Sequence, residues 1–250
     1  VIRKALPELQ LLDGADAWRH RNRILSSFLS HKFGGRSSPL KVLEAGCGRA
    51  WPLDLGAARL GITGVDLDSA ALDARVREVG DLERAIVGDL REIEFPPNEF
   101  DIVYCCEVLE HISGAEDVVQ RFMAWLKPGG VAVLVFPDRN TVFGRVTSFS
   151  PHWVHVAYHR HVLGSQEAGS PGFPPYRTYY DNIISRHGIH NFCAKHGCRI
   201  ALEYGRPPGK ADWPSWFLQP YKIIAPIISA ISGGAIAWTH IGLVYALEKR

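Results

Sequence analysis

Val42-Leu43-Glu44-Ala45-Gly46-Cys47-Gly48 sets an apolar run directly against two glycines one residue apart. The run reads as a buried strand, and glycines where it ends let the backbone turn sharply and let a ligand approach it closely. That junction confines the chain to few folds, those in which a parallel sheet holds its ligand at the carboxyl ends of its strands. Twenty residues past Gly46, Asp66 closes a second apolar run, Ile62-Thr63-Gly64-Val65-Asp66. From there a carboxylate can accept from both hydroxyls of a ribose.

The surrounding pattern agrees with this reading. Strand 40–45, a helix near 53–60, strand 62–66, helix 69–79, strands 84–88 and 100–105, helix 115–126 and strand 130–136 follow one another as βαβ units do. An amphipathic helix at 15–32, with Trp18, Ile24, Leu25, Phe28 and Leu29 on its apolar face, precedes them. Beyond Pro137 we expect helical segments near 140–149 and 153–163, a Gly/Pro-rich loop at 164–177, a helix at 180–196 and a strand at 198–204. A Pro-rich link at 206–214, a helix near 219–232 and a last strand at 240–247 complete the chain. Residues 223–247 carry no charged side chain, long enough on length alone to cross a membrane. Pro226, Ser229, Ser232, Gly233-Gly234, Thr239 and His240 argue instead for helix, turn and strand.

With 46% hydrophobic and 22% charged residues among 250, the composition excludes disorder, collagen and coiled coil. A net charge of +2 gives no reason to expect a nucleic-acid partner. Five cysteines without a CxxC pair, and no signal-peptide apolar core, lead us to expect reduced thiols and a cytoplasmic protein. Aromatics and prolines concentrate after residue 150, and four histidines crowd into 152–161. The first part therefore reads as scaffold and the second as substrate-facing.

The glycine pair and Asp66 would also suit NAD, but a dinucleotide loop wants a third glycine three residues after Gly48, where Trp51 stands. In residues 40–136 the chain instead resembles the class I S-adenosylmethionine (SAM)-dependent methyltransferases, near the ubiquinone/menaquinone-biosynthesis branch. Five motifs in order carry the resemblance: VLEAGCG, GVDLD, VGDL, FDIVYCCEVLEH and LKPGGVAVLVFP. It implies an α/β, Rossmann-like fold: a seven-stranded, mostly parallel sheet with helices on both faces and an antiparallel last strand. We expect one domain, divided into an N-terminal helix (1–38), a SAM-binding core (39–137), a helical lid insertion (138–178) and a final helix and strands (179–250) with the apolar 219–232 inserted. The resemblance also implies that Glu44, Gly46, Cys47 and Gly48 form the methionine-side loop and that Asp66, with Leu67, holds the ribose. Asp89, with Leu90, would meet the adenine amine, and the Cys105–Glu107 backbone would line the sulfonium side. Ala50 departs from the family, which commonly has a third glycine there, and with Trp51-Pro52 it places bulk near the methionine end.

Methyl transfer is an in-line displacement that needs a base only when the nucleophile must lose a proton. His111 and the 152–161 cluster supply the candidates, with His155 and His159 four apart on one helical face and favoured. Were a helix to begin directly after the fourth strand, Glu107, Glu110 and His111 would share one side of it as a divalent-metal half-site. Some quinone O-methyltransferases and small-RNA 2′-O-methyltransferases use such a Glu-x-x-Glu-His. Two carboxylates and one imidazole are an incomplete ligand set, so the metal-free histidine version is preferred. Trp153, Tyr158, Phe173, Tyr176, Tyr179, Tyr180, Trp213, Trp216 and Phe217 could wall an apolar pocket, and 219–232 could close it or lie at a membrane surface. The expected activity is O-methylation of a small apolar, quinone-like or lipid-like metabolite. Rearrangement or cyclisation on the same fold, and a peripheral membrane or partner-binding module without turnover, are the alternatives from other classes.

Overall fold

The computed structural model describes residues 6–12, 16–161, 164–170, 175–209, 213 and 215–250. Its strands are β1 (Gln10–Leu11), β2 (Leu40–Ala45), β3 (Leu60–Asp66), β4 (Leu82–Val87), β5 (Phe100–Cys106), β6 (Leu126–Pro137), β7 (Arg199–Arg206) and β8 (Gly242–Glu248). They form one sheet in the order β1-β7-β8-β6-β5-β2-β3-β4. Strand β8 runs antiparallel to both β6 and β7, and every other pair is parallel. The eighth strand, beyond the seven expected, is the two-residue β1, which pairs Gln10 with Tyr204 and Leu11 with Gly205 at the sheet edge. Two residues are too few to show an alternation in sequence.

Helices α1 (Ala17–Phe33), α2 (Ser69–Glu78), α3 (Ala115–Trp125), α4 (Val142–Phe149), α5 (His152–His161), α6 (Arg186–His196) and α7 (Ser215–Ile231) accompany the strands. Successive strand side chains point to opposite faces. Leu43, Val103, Leu134 and Tyr245 meet Phe122 of α3 and Phe192 of α6 on one face. Val42, Ile102, Val133 and Val244 meet Leu25 and Leu29 of α1 on the other. Burial on both faces is why these strands read as continuous apolar runs. From β2 the chain steps outward through β3 to β4, then returns to the opposite side of β2 with β5. The reversal leaves a crevice at the carboxyl ends of β2 and β5, where open α/β sheets bind ligands.

Three local expectations are corrected. The stretch near 53–60 is not helical: Pro52 and Gly56 interrupt it, Leu53 and Leu55 are buried in alternation, and the Asp54 carboxylate accepts from Gly56 N at 2.8 Å. The helix expected at 180–196 begins only at Arg186, capped by the Ser185 hydroxyl. Its intended first turn is diverted because Asp181 Oδ2 accepts from Gly114 N (2.7 Å) and Ala115 N (3.0 Å), capping α3 from a distance. After β5 there is one 3₁₀ turn, Leu109–His111, instead of an α-helix. Over 223–247 the chain forms the end of α7, a turn and β8, and no helix of the described residues is long and apolar enough to cross a membrane.

Candidate active site

The loop after β2 owes its shape to its glycines. Gly46 (φ +72°) and Gly48 (φ +52°) both adopt the left-handed region, which a side chain disfavours. The N–H groups of Gly46 and Cys47 both donate to Val65 O, at 2.8 and 3.1 Å, binding the loop to the end of β3. A Cβ on Gly46 would collide with the Val108 side chain, whereas one on Gly48 would meet nothing within 4 Å. Asp66 then completes the turn: its Oδ2 accepts from Gly48 N and its Oδ1 from Asp68 N, each at 2.9 Å. Each oxygen keeps acceptor capacity for a hydroxyl donor.

Beneath the loop lies a buried ion network that the sequence reading missed. Arg75 of α2 is 1% exposed. It reaches Glu44 Oε2 (2.7 Å), both Asp81 carboxylate oxygens (2.9 Å each) and the Cys47 carbonyl (2.6 Å). Burial lifts the Glu44 carboxyl to about 7 against the opposing pull of Arg75. Glu44 therefore sits under the loop, away from the cleft wall. The available signal was Arg75 itself, a charged residue on the buried side of α2 with Ala71 and Leu72.

The cleft has a volume of about 1000 Å³. Gly46, Gly48, Asp66, Leu67, Asp89, Leu90, Glu107 and His111 line it, so most of the residues singled out in the sequence come together. Cys47 and Cys105 do not line it. Both are buried, and burial raises both thiols, Cys47 to about 12, leaving them unreactive. Cys106, Val108, Tyr176, Arg177 and Tyr179 line it as well. Trp51 packs edge-on against Tyr104 at 5.3 Å on the α1 side of the sheet, so its bulk is not at the cleft wall.

Charges at the two ends differ. Asp89 holds Arg91 through both oxygens (Nη2 to Oδ2 2.6 Å), and that bond keeps its carboxyl below the usual carboxylate range. At the other end Glu107 takes φ +54°, unusual for a side chain of its size, while its N–H donates to Val135 O at 2.8 Å. Among the described residues, Glu107 Oε1 and Glu110 Oε2 are buried without a hydrogen-bond partner. Burial, reinforced by Glu107, pushes the Glu110 carboxyl well up. His111 Nδ1 lies 2.9 Å from Arg177 O and its Nε2 3.9 Å from Glu110 Oε1, while burial lowers its pKa. No group of three or more metal-ligating side chains is arranged to hold an ion among the described residues.

His155 and His159 lie on α5 outside the cleft, with His155 Nε2 3.2 Å from Thr147 O. Of the aromatics, Tyr176 and Tyr179 line the cleft, Tyr176 edge-on to His111 at 5.6 Å. Trp213 is buried instead against Phe143, Phe217 and Tyr221 in a separate small cluster, Trp153 and Trp216 are exposed, and Phe173 lies outside the described residues.

A glycine loop, an acid closing the next strand and a second acid after β4, ranged along one edge of a parallel sheet, are the arrangement of a nucleoside-binding α/β fold. A family profile described as "Methyltransferase domain" matches residues 43–134. A probable S-adenosylmethionine-dependent methyltransferase of Mycolicibacterium smegmatis is 33% identical over 209 residues, 80% of this chain and 76% of that protein. The ubiquinone biosynthesis O-methyltransferase of Pseudomonas aeruginosa is 35% identical over 107 residues, 40% of this chain and 45% of its own length, so the match spans less than half of that relative. An S-adenosylmethionine-dependent methyltransferase from Mesorhizobium loti shares the fold with a TM-score of 0.52 at 14% identity, covering 88% of this chain and 96% of that one. The chain belongs to the SAM-dependent methyltransferases, and SAM is its cofactor. The residues present fit that molecule: the open space at Gly48 admits it to the loop, and the Asp66 carboxylate offers two oxygens to a diol.

Proposed function

We propose that the cleft methylates an oxygen of a small apolar, quinone-like or lipid-like acceptor. The observation that carries this reading is His111, which among the histidines singled out above is the one that lines the cleft, beside the aromatic wall of Tyr176 and Tyr179. The likeness to the ubiquinone O-methyltransferase supports the same acceptor class. In this proposal Asp66 accepts from the ribose hydroxyls, Asp89 from the adenine amine, and the backbone of Gly46, Gly48 and Glu107 lines the methionine end. SAM supplies an electrophilic methyl group on a sulfonium. His111 donates its Nδ1–H to the Arg177 carbonyl and keeps the Nε2 lone pair to take the hydroxyl proton of the acceptor.

Two measurements test the role. Turnover with methyl-labelled SAM and a phenolic acceptor should fall about 10²–10⁴-fold in His111→Ala, with S-adenosylhomocysteine affinity unchanged. Replacing His155 or His159 should leave the rate near that of the unmodified enzyme, because neither reaches the cleft. Burial holds the His111 pKa below its ordinary 6.5, so the imidazole is neutral and competent at pH 7. Activity should therefore be lost only as pH falls below that value, and this acidic limb should vanish in His111→Ala. Normal turnover in that variant would transfer the role elsewhere.

A further inference from the structure

Helix α7 exposes a run of large apolar side chains beside its exposed Gln219 and Lys222, whereas a helix packed on one side normally presents mainly polar residues to water. Leu218, Tyr221 and Ala225 face the protein, yet Ile223, Ile224, Ile227 and Ile231 face outward, Ile231 being 82% exposed. At the neighbouring α4–α5 junction Phe149 and Trp153 are exposed in the same way, at 82% and 70%. Both helices stand over the carboxyl edge of the sheet. Helix α4 follows the end of β6 and α7 leads into the start of β8, where Pro137 pairs with Gly242. The active-site cleft opens at that same edge.

Charge decides what covers this face. No acidic residue occurs in 139–166 or in 213–247, while those stretches carry Arg139, Arg145, Arg160 and Lys222. Lys222 and Arg160 are exposed. A second copy of the chain would bring the same uncompensated positive charge to the contact. Anionic headgroups would neutralise it, and an aromatic-flanked apolar helix with basic neighbours is the composition of an interfacial segment. We infer that α7, with Phe149 and Trp153 beside it, lies in the surface of an anionic phospholipid bilayer. The cleft edge then faces the membrane. This does not depend on the acceptor proposed above, although an apolar acceptor would reach the cleft from that surface.

Flotation with vesicles of phosphatidylglycerol and phosphatidylcholine, against vesicles of phosphatidylcholine alone, tests the inference. The protein should float with the anionic vesicles only, less so as salt is raised. The double variant Ile223→Asp/Ile227→Asp should lower the bound fraction at least about tenfold. Both side chains are exposed, and unchanged S-adenosylhomocysteine affinity would report an intact fold. Turnover of a water-soluble acceptor should also be unaffected, which separates this inference from the acceptor assignment. It is overturned if the unmodified protein stays with the unbound fraction. Full flotation of the folded variant overturns it too. So does sedimentation showing a dimer that the double variant splits, which would assign the face to self-association.

Discussion

Asp66→Ala should abolish measurable S-adenosylhomocysteine binding at concentrations that saturate the unmodified protein. The substitution removes the acceptor of two backbone N–H groups, Gly48 and Asp68, as well as the one offered to the ribose. Hydrogen bonds to a charged acceptor contribute about 1.5–3 kcal/mol each, so losing the ribose pair alone weakens binding by about 3 kcal/mol or more, over a hundredfold. Freeing the Gly48 N–H adds a loop that must be ordered on binding. Asp66→Asn should retain part of the affinity, since its amide oxygen can still accept from one donor set. Gly46→Ala reaches the same end differently, through a left-handed φ of +72° and a collision with Val108, a cleft residue. Calorimetry against a melting curve separates the two: Asp66→Ala should lose affinity more than stability, and Gly46→Ala should lose both. Unchanged affinity in Asp66→Ala would remove this carboxylate from the site.

Which parts of this arrangement could be read from the sequence follows from the range of the forces involved. The glycine loop and Asp66 each follow or close a strand whose buried apolar run announces it, whereas Asp89 comes after the largely exposed edge strand β4 and was legible only through its VGDL motif; the sheet order brings all three together. Elements held by their own periodicity, such as α3 and β5, were legible to within a residue or two. The misreadings arise where a distant partner overrides local preference. Residues 180–185 have the composition of a helical start, but the carboxylate of Asp181 is engaged by the amino end of α3. Residues 53–60 have enough apolar content for a helix, but Pro52 and Gly56 favour an extended path along which Leu53 and Leu55 bury alternately. The histidine cluster was conspicuous by number alone. Nothing in its spacing reveals that α5 packs His155 toward the carbonyl of Thr147 instead of the cleft. His111, in an ordinary-looking string, is the one that the turn after β5 delivers to the cleft wall.

Arg75 shows how much of the site's rigidity lies outside the cleft. Its guanidinium holds the Glu44 carboxyl at the end of β2, the Asp81 carboxylate before β4 and the carbonyl of Cys47 in the glycine loop. Arg75→Met fills much of the same volume and removes every one of these bonds. Glu44 then remains 3% exposed without a cation, and removing one partner of a buried pair typically destabilises by about 3–5 kcal/mol. Because burial already lifts the Glu44 carboxyl to about 7, loss of the cation raises it further and the acid folds protonated. That fixes the sign of the pH dependence. A carboxyl whose folded pKa lies above its unfolded value of 4.5 binds more protons in the folded state, so stability falls as pH rises from 4.5 toward the folded pKa. Raising the folded pKa in Arg75→Met extends this loss to higher pH. Urea unfolding should therefore show the variant about 3–5 kcal/mol less stable at pH 8 and closer to the unmodified protein at pH 5. The double variant Glu44→Gln/Arg75→Met should recover part of the difference at pH 8, since it leaves no buried acid to ionise. A penalty independent of pH, with no recovery in the double variant, would mean that Arg75 acts through packing alone and that the charge on Glu44 has no part in holding the loop.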